Sequence, residues 1–167
     1  MANKCSYARR YYDYDLEREE PYKCPAEEHS KGLCKFHLKE YAVDENNRGE
    51  LIGLLNQELK KANTSGSALK WIGYQIPPAF DISSEFKVNV YLDWAYFLGD
   101  ASFDSSNFES NASFMELTSM EKQSSMKLSS KNEQTSLLLS STEKQPSLVL
   151  TSTEKQTSLV VLSSMEK

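Results

Sequence analysis

Residues 97–114 read FLGDASFDSSNFESNASF, with phenylalanines at 97, 103, 108 and 114, spaced six, five and six apart. Alanines stand two places before three of the rings, at Ala95, Ala101 and Ala112. A helix of about 3.6 residues per turn does not generate that spacing. A coil of short stacked segments does, because each segment can send one large and one small residue inward and bury them against its neighbours. The spacing therefore places Phe97, Phe103, Phe108 and Phe114 in one shared interior, with Ala101 and Ala112 beside them. Asp100, Asp104, Ser105, Glu109 and Ser110 fall outside it.

Around this stretch the composition is lean. Of 167 residues, 39% are hydrophobic and the mean hydropathy is −0.58, low for a chain with a single large core. No Phe, Tyr or Trp follows Phe114, so a globule spanning the whole length is not expected. A net charge of −5 argues against a generally basic, nucleic-acid-binding surface. No apolar run is long enough for a transmembrane helix, and MANKCSYARR has no apolar leader core; a cytoplasmic protein is expected. Three cysteines are an odd number, and reduced thiols there are free to ligate metal.

Residues 1–43 hold all three cysteines and both histidines. Cys5, Cys24, Cys34 and His37 form Cys-x18-Cys-x9-Cys-x2-His, with Gly32 before the tight pair to let the chain turn. Three sulfurs and one imidazole make a closed tetrahedral set for structural zinc. Reduced, metal-free cysteines are the alternative, and His29 is the alternative to His37. So short a segment usually needs a metal or a disulfide to fold. Tyr7, Tyr11, Tyr12, Tyr14, Tyr22, Phe36 and Tyr41 are available to pack around the site. Interleaved with Arg9, Arg10, Lys23, Lys35 and Lys39, the same rings could stack on single-stranded bases. The acidic run from Asp13 to Glu20, read as a solvated face, offsets that field.

Residues 44–66 carry one amphipathic helix, Asp44–Asn63, with a stripe of Leu51, Ile52, Leu54, Leu55 and Leu59. Asn46 or Asn47 is its expected N-cap, and Asn63-Thr64-Ser65-Gly66 stops it. Residues 67–117 hold a cap strand and the first repeats. Leu69–Ile76 ends at Pro77-Pro78, and Phe86, Val88, Val90 and Leu92 alternate as the strand that opens the coil. Helix and cap strand would close the open end, since a bare end exposes apolar surface and unpaired edges.

Two resemblances follow from these residues. Ala95 to Phe114 resembles the pentapeptide-repeat family, whose unit is roughly Ala-Asp/Asn-Leu/Phe-x-x. The resemblance implies a four-sided right-handed β-helix with the Phe or Leu, and the residue two before it, pointing inward. CPAEEHSKGLCKFH, residues 24–37, resembles the end of small Cys3His zinc modules, some of which precede pentapeptide repeats. The fold expected is thus α+β: a small Cys3His zinc-type module, one amphipathic helix and the start of a right-handed β-helix, followed by a largely irregular tail.

That tail, residues 118–167, is an eleven-residue repeat: TSMEKQSSMKL, SSKNEQTSLLL, SSTEKQPSLVL, TSTEKQTSLVV, LSSMEK. Its Ser/Thr density disfavours a helix, and the polar stretches between apolar triplets disfavour a packed core. Eleven is also the step from Phe103 to Phe114. Continued from Phe108, that step lands on Ser119, Ser130, Ser141, Ser152 and Ser163; from Phe114, on Ser125, Ser136, Ser147 and Ser158. Each of these serines follows Thr, Ser, Pro or Leu, all of which have codons ending in T. Read one base earlier, T-TC becomes TTC, phenylalanine, and Met-Glu yields the glycine codon GGA. From about Met115 onward the sequence reads as pentapeptide-repeat DNA in a shifted frame; an authentic polar repeat of independent origin is the alternative.

Chemistry finds little purchase. With only His29 and His37, and one of them a candidate ligand, no Ser/His/Asp or Cys/His arrangement assembles, and there is no GxxxxGK[ST] or GxGxxG. A closed Cys3His site leaves no position for a reacting water. The expected function is a non-catalytic scaffold that presents its coil to an unidentified protein partner. The alternative is a nucleic-acid-associated protein, acting through the zinc module or through the DNA mimicry that the resemblance implies. Sequencing the gene tests the frame: codons ending in T before the nine ladder serines are expected, and other third bases there refute the shift.

Overall fold

A computed structural model describes residues 3–82, 85–99, 106–119, 125–130, 135–141, 147–152 and 157–163. The architecture is α+β, with the strands after the helices all parallel.

The chain begins with a hairpin. Strands β1 (Ala8–Asp13) and β2 (Arg18–Lys23) pair antiparallel from Ala8↔Lys23 to Asp13↔Arg18. The acidic run is therefore not wholly a solvated face. Asp13 is buried, and accepts the Tyr11 hydroxyl at 2.7 Å and the backbone N–H groups of Asp15 at 3.0 Å and Leu16 at 3.3 Å. This carboxylate, which also meets the Lys70 ammonium at 3.5 Å, closes the turn by the side-chain-to-backbone bonding that favours Asp in turns.

Helix α1 (Lys39–Val43) and helix α2 (Glu45–Ser65) follow, separated by Asp44 in an extended conformation. The N-cap of α2 is Asp44, which corrects the expectation of Asn46 or Asn47. Its carboxylate accepts the Asn46 backbone N–H at 2.9 Å, and both asparagine side chains bond back to it. Gly66, at φ 69°, ends the helix in the left-handed conformation that glycine adopts without strain. Leu51, Leu55, Leu59 and Ala62 form the buried stripe, with Ile52 and Leu54 partly covered at its margin.

Beyond α2 the strands stack. β3 (Leu69–Lys70), β6 (Val90–Tyr91), β9 (Ala112–Ser119), β11 (Thr135–Ser141) and β13 (Thr157–Ser163) run side by side in one sheet. Leu69 faces Val90, Val90 faces Ala112, Ala112 faces Thr135 and Thr135 faces Thr157, at steps of 21, 22, 23 and 22 residues. β4 (Gln75–Ile76) pairs with β7 (Tyr96–Phe97), which joins the far end of β9 at Thr118 and Ser119. A second sheet stacks β5 (Glu85–Phe86), β8 (Asn107–Phe108), β10 (Ser125–Ser130) and β12 (Ser147–Ser152).

Where β3 turns into β4 stands Gly73 at φ 72°; one step on, between β6 and β7, stands Trp94 at φ 63°; within β9 stands Glu116 at φ 52°. Left-handed residues thus recur in register and bend the sheet along one line. β11 has no such residue among those described. Instead its register shifts between Leu137 and Leu139, so that Leu137 faces Phe114 and Leu139 faces Leu117.

The first end of both sheets meets α2, which packs on β3. The Asn63 side chain donates to the Glu85 carbonyl at 2.9 Å and accepts the Lys87 N–H at 3.4 Å, occupying groups that a further strand would otherwise pair.

Phe97, Phe108 and Phe114 are each no more than 1% exposed, and Ala112 is buried beside them. Phe86 stacks on Phe108 at 4.6 Å, and Phe114 meets Phe108 edge-on at 5.6 Å. Glu109 is exposed and Ser110 half-buried. The expectations for Asp100, Ala101, Phe103, Asp104 and Ser105 lie outside the described residues.

The largely irregular tail is corrected. β9 crosses the expected boundary at 117/118, and residues 125–130, 135–141, 147–152 and 157–163 form strands. The physical reason is commensurability. Two eleven-residue units make 22, the step of the preceding strands, so each apolar triplet finds a paired strand already in place. Ser130 falls opposite Phe108, and Ser119 opposite Phe97. Phe108→Ala removes a fully buried ring between Phe86 and Phe114 and should cost about 3–5 kcal/mol in denaturant unfolding; a loss under about 1 kcal/mol would mean that no packed interior exists there.

Candidate metal centre

The four sequence-predicted ligands come from three separate pieces of chain. Cys5 precedes β1, Cys24 follows β2, and Cys34 and His37 lie in the turn before α1. The hairpin brings the first two together: the Cys5 N–H donates to the Ala26 carbonyl at 3.0 Å, and the Cys24 N–H to the Tyr7 carbonyl at 3.1 Å. The Ser6 N–H donates to the Gly32 carbonyl at 2.7 Å and ties in the loop that carries Cys34. Gly32 is left-handed at φ 78° with Ser6 close by, so a side chain there would be strained.

Cys5, Cys24, Cys34 and His37 are all buried, with ligand atoms within 4.8 Å of one another. The sulfurs of Cys24 and Cys34 are 3.7 Å apart, and Nδ1 of His37 lies 3.6 Å from the Cys5 sulfur and 3.1 Å from that of Cys34. Ligands held about 2.3 Å (sulfur) and 2.1 Å (nitrogen) from a tetrahedral centre stand roughly 3.5–3.8 Å from each other. The donor set is compatible with a metal.

Polarity around the cluster fits as well. Nε2 of His37 lies 2.9 Å from the Ile72 carbonyl, which can only accept, so the ring proton sits on Nε2 and the Nδ1 lone pair faces the sulfurs. The Cys34 backbone N–H donates to the Cys5 sulfur at 3.3 Å. The hydrogen bond from Cys34 draws the Cys24 thiol down to about 4, while donating that bond and burial push the Cys34 thiol up.

Aromatic rings form the second layer. Tyr7 stacks on the His37 ring at 3.9 Å, and Tyr74 meets it edge-on at 5.1 Å. Phe36 stacks on Tyr74 at 4.6 Å. Behind them, Glu58 on α2 accepts Trp71 Nε1 at 3.0 Å, and burial pushes its carboxyl up. His29 stands apart from the cluster, edge-on to Tyr41 at 4.9 Å.

Sequence reasoning did not reach the contribution of residues 71–74. The carbonyl that orients His37 belongs to Ile72, a group every residue has, so no residue type announces it. Gly73 does leave a mark, as the glycine that breaks the alternation of 69–76. An added Cβ there would lie 1.9 Å from the Tyr7 hydroxyl, at a φ of 72° that already disfavours side chains.

No protein-family model, curated protein or solved structure matches this chain. Gly73→Ala should displace Tyr7 from the His37 ring, cost about 2 kcal/mol or more and lower Tm, as calorimetry would show; an unchanged Tm would mean that Tyr7 has room to move at no cost.

Proposed function

We propose that this chain is a non-catalytic scaffold of the pentapeptide-repeat type: a right-handed β-helix, held at its first end by a structural zinc ion, that presents its outer surface to a protein partner. The convergence of Cys5, Cys24, Cys34 and His37 carries the zinc assignment. Three thiolates and one imidazole suit a borderline-soft ion that accepts a tetrahedron, and the full set leaves no position for a substrate or a reactive water. That closure is the reason for a structural rather than a chemical role.

The β-helix is supported by the strand register. Parallel partners at a step near 22 residues require the chain to travel once around between them, and such crossovers are right-handed in roughly 98% of cases. The step equals four sides of six, five, six and five residues, and the first three of those numbers are the spacings between the phenylalanines in the sequence. The same register supports reading the tail as repeats in a shifted frame, since Ser119 and Ser130 fall in line with Phe97 and Phe108. A stack of short strands offers broad, flat faces, which serve recognition better than catalysis.

Purified protein should contain one equivalent of zinc by elemental analysis, bound through sulfur by X-ray absorption. Chelation, or Cys34→Ser, should unfold the first forty or so residues and lower Tm. Metal-free protein whose melting is unchanged by chelator would overturn the assignment. Salt-dependent binding to an oligonucleotide, with a slope set by the number of phosphates neutralised, would replace the protein partner with a nucleic acid.

A further inference from the structure

The two ends of the stacked strands are finished differently. At the first end α2 packs on β3, and the Asn63 amide occupies backbone groups of Glu85 and Lys87. At the other end β13 pairs with β11 and β12 with β10, and among the described residues neither has a neighbour on its outer side. Such an edge presents a row of unpaired N–H and C=O groups that can pair with another chain.

Edges of this kind are commonly blunted by a charge, a proline or a bulge. β12 reads SLVLTS and β13 reads TSLVVLS, with no charged residue and no proline in either. Their registers against β10 and β11 run without a shift. One end is thus covered, and the other is left open to pairing.

The open edges are also self-complementary. When a strand meets a copy of itself antiparallel about a two-fold axis, directly opposed residues lie on the same side of the pleat. The axis therefore passes through a residue, not between two. Centred on Val149, β12 sets Leu148 against Leu150 and Ser147 against Thr151; a shift of one residue sets apolar residues against serine or threonine. Val160 lies eleven residues further on, half the 22-residue step between paired strands, so the same axis crosses β13 there. About Val160, Leu159 meets Val161 and Thr157 meets Ser163, which leaves Ser158 and Leu162 as the one unlike pair. The two sheets enclose one interior, where Phe108 of one meets Phe114 of the other at 5.6 Å.

We propose that this end of the stack binds a second copy of the chain, β13 to β13 and β12 to β12, both antiparallel, about one two-fold axis through Val149 and Val160. The open end meets another open end because α2 and Asn63 already fill the first one. Head-to-tail growth into a filament is closed off, and the assembly stops at two. Backbone pairing supplies the attraction, and the opposed apolar residues set the register. The pairing needs no metal.

Sedimentation of the full chain over a range of concentrations should show a monomer of 19.0 kDa in equilibrium with a species of twice that mass. On the axis Val160 meets its own counterpart, so Val160→Lys and Val160→Glu each bring like charges together and should weaken the dimer at least about tenfold. An equimolar mixture of the two should recover it, because opposite charges then meet; unfolded variants would not be rescued in this way. Should neither variant fold, hydrogen exchange on the unaltered chain reads the same edge. The amides of residues 158–162 should become more protected as concentration rises, while those of β3 stay unchanged. A monomer at every concentration leaves the edge to a different partner and overturns the proposal. So do open-ended assemblies larger than two, folded variants that dimerise as before or fail to recover on mixing, and exchange at 158–162 that ignores concentration.

Discussion

One imidazole bonds to both the cysteine cluster and the turn after the first of the parallel strands. Nδ1 of His37 faces the sulfurs of Cys5 and Cys34, and Nε2 reaches the carbonyl of Ile72 in the first turn of the stacked strands. Tyr7 lies flat on the same ring and presses its hydroxyl against Gly73. The candidate ligand cluster and the start of the sheet therefore meet at one side chain. Trp71, Ile72 and Tyr74 are buried at this junction in the same core as the cysteines, so a change on one side is felt on the other.

The second constraint is the corner. Strands that stack in parallel at a short step must turn sharply, and each turn asks one residue to take a positive φ. Gly73 does so freely, while Trp94 and Glu116 do so under strain. The next turn is not made in this way. β11 absorbs the mismatch as a register shift, and a leucine, Leu137, falls opposite Phe114 where the eleven-residue ladder has Ser136. The tail keeps the pairing of the earlier strands without their corner chemistry.

Much of this was legible in the residues, and the remainder was hidden for identifiable reasons. The phenylalanine spacing pointed to a shared interior, and Phe97, Phe108 and Phe114 are buried. The Cys-x18-Cys-x9-Cys-x2-His set named four side chains that lie together. The hairpin was not legible, because only Tyr11, Asp13 and Tyr22 of its strands are buried and its turn places Glu17, not a glycine, at positive φ. The strands of the tail were masked by composition. Serine and threonine read as disorder when taken singly; what orders them is a period that matches a template, and that template is visible only once the earlier strands are placed.

Asn63 carries a consequence of another kind. Its amide fills the strand edge at Glu85 and Lys87 from the helix side, so the stack can lengthen in one direction only. Synthesis proceeds in that same direction. The helix leaves the ribosome before any strand that will lean on it, and each later strand emerges beside one already seated. Non-local pairing normally waits for a distant segment to be made. Here the paired parallel strands are separated by about 22 residues, so each can add to one already made, outward from the closed end.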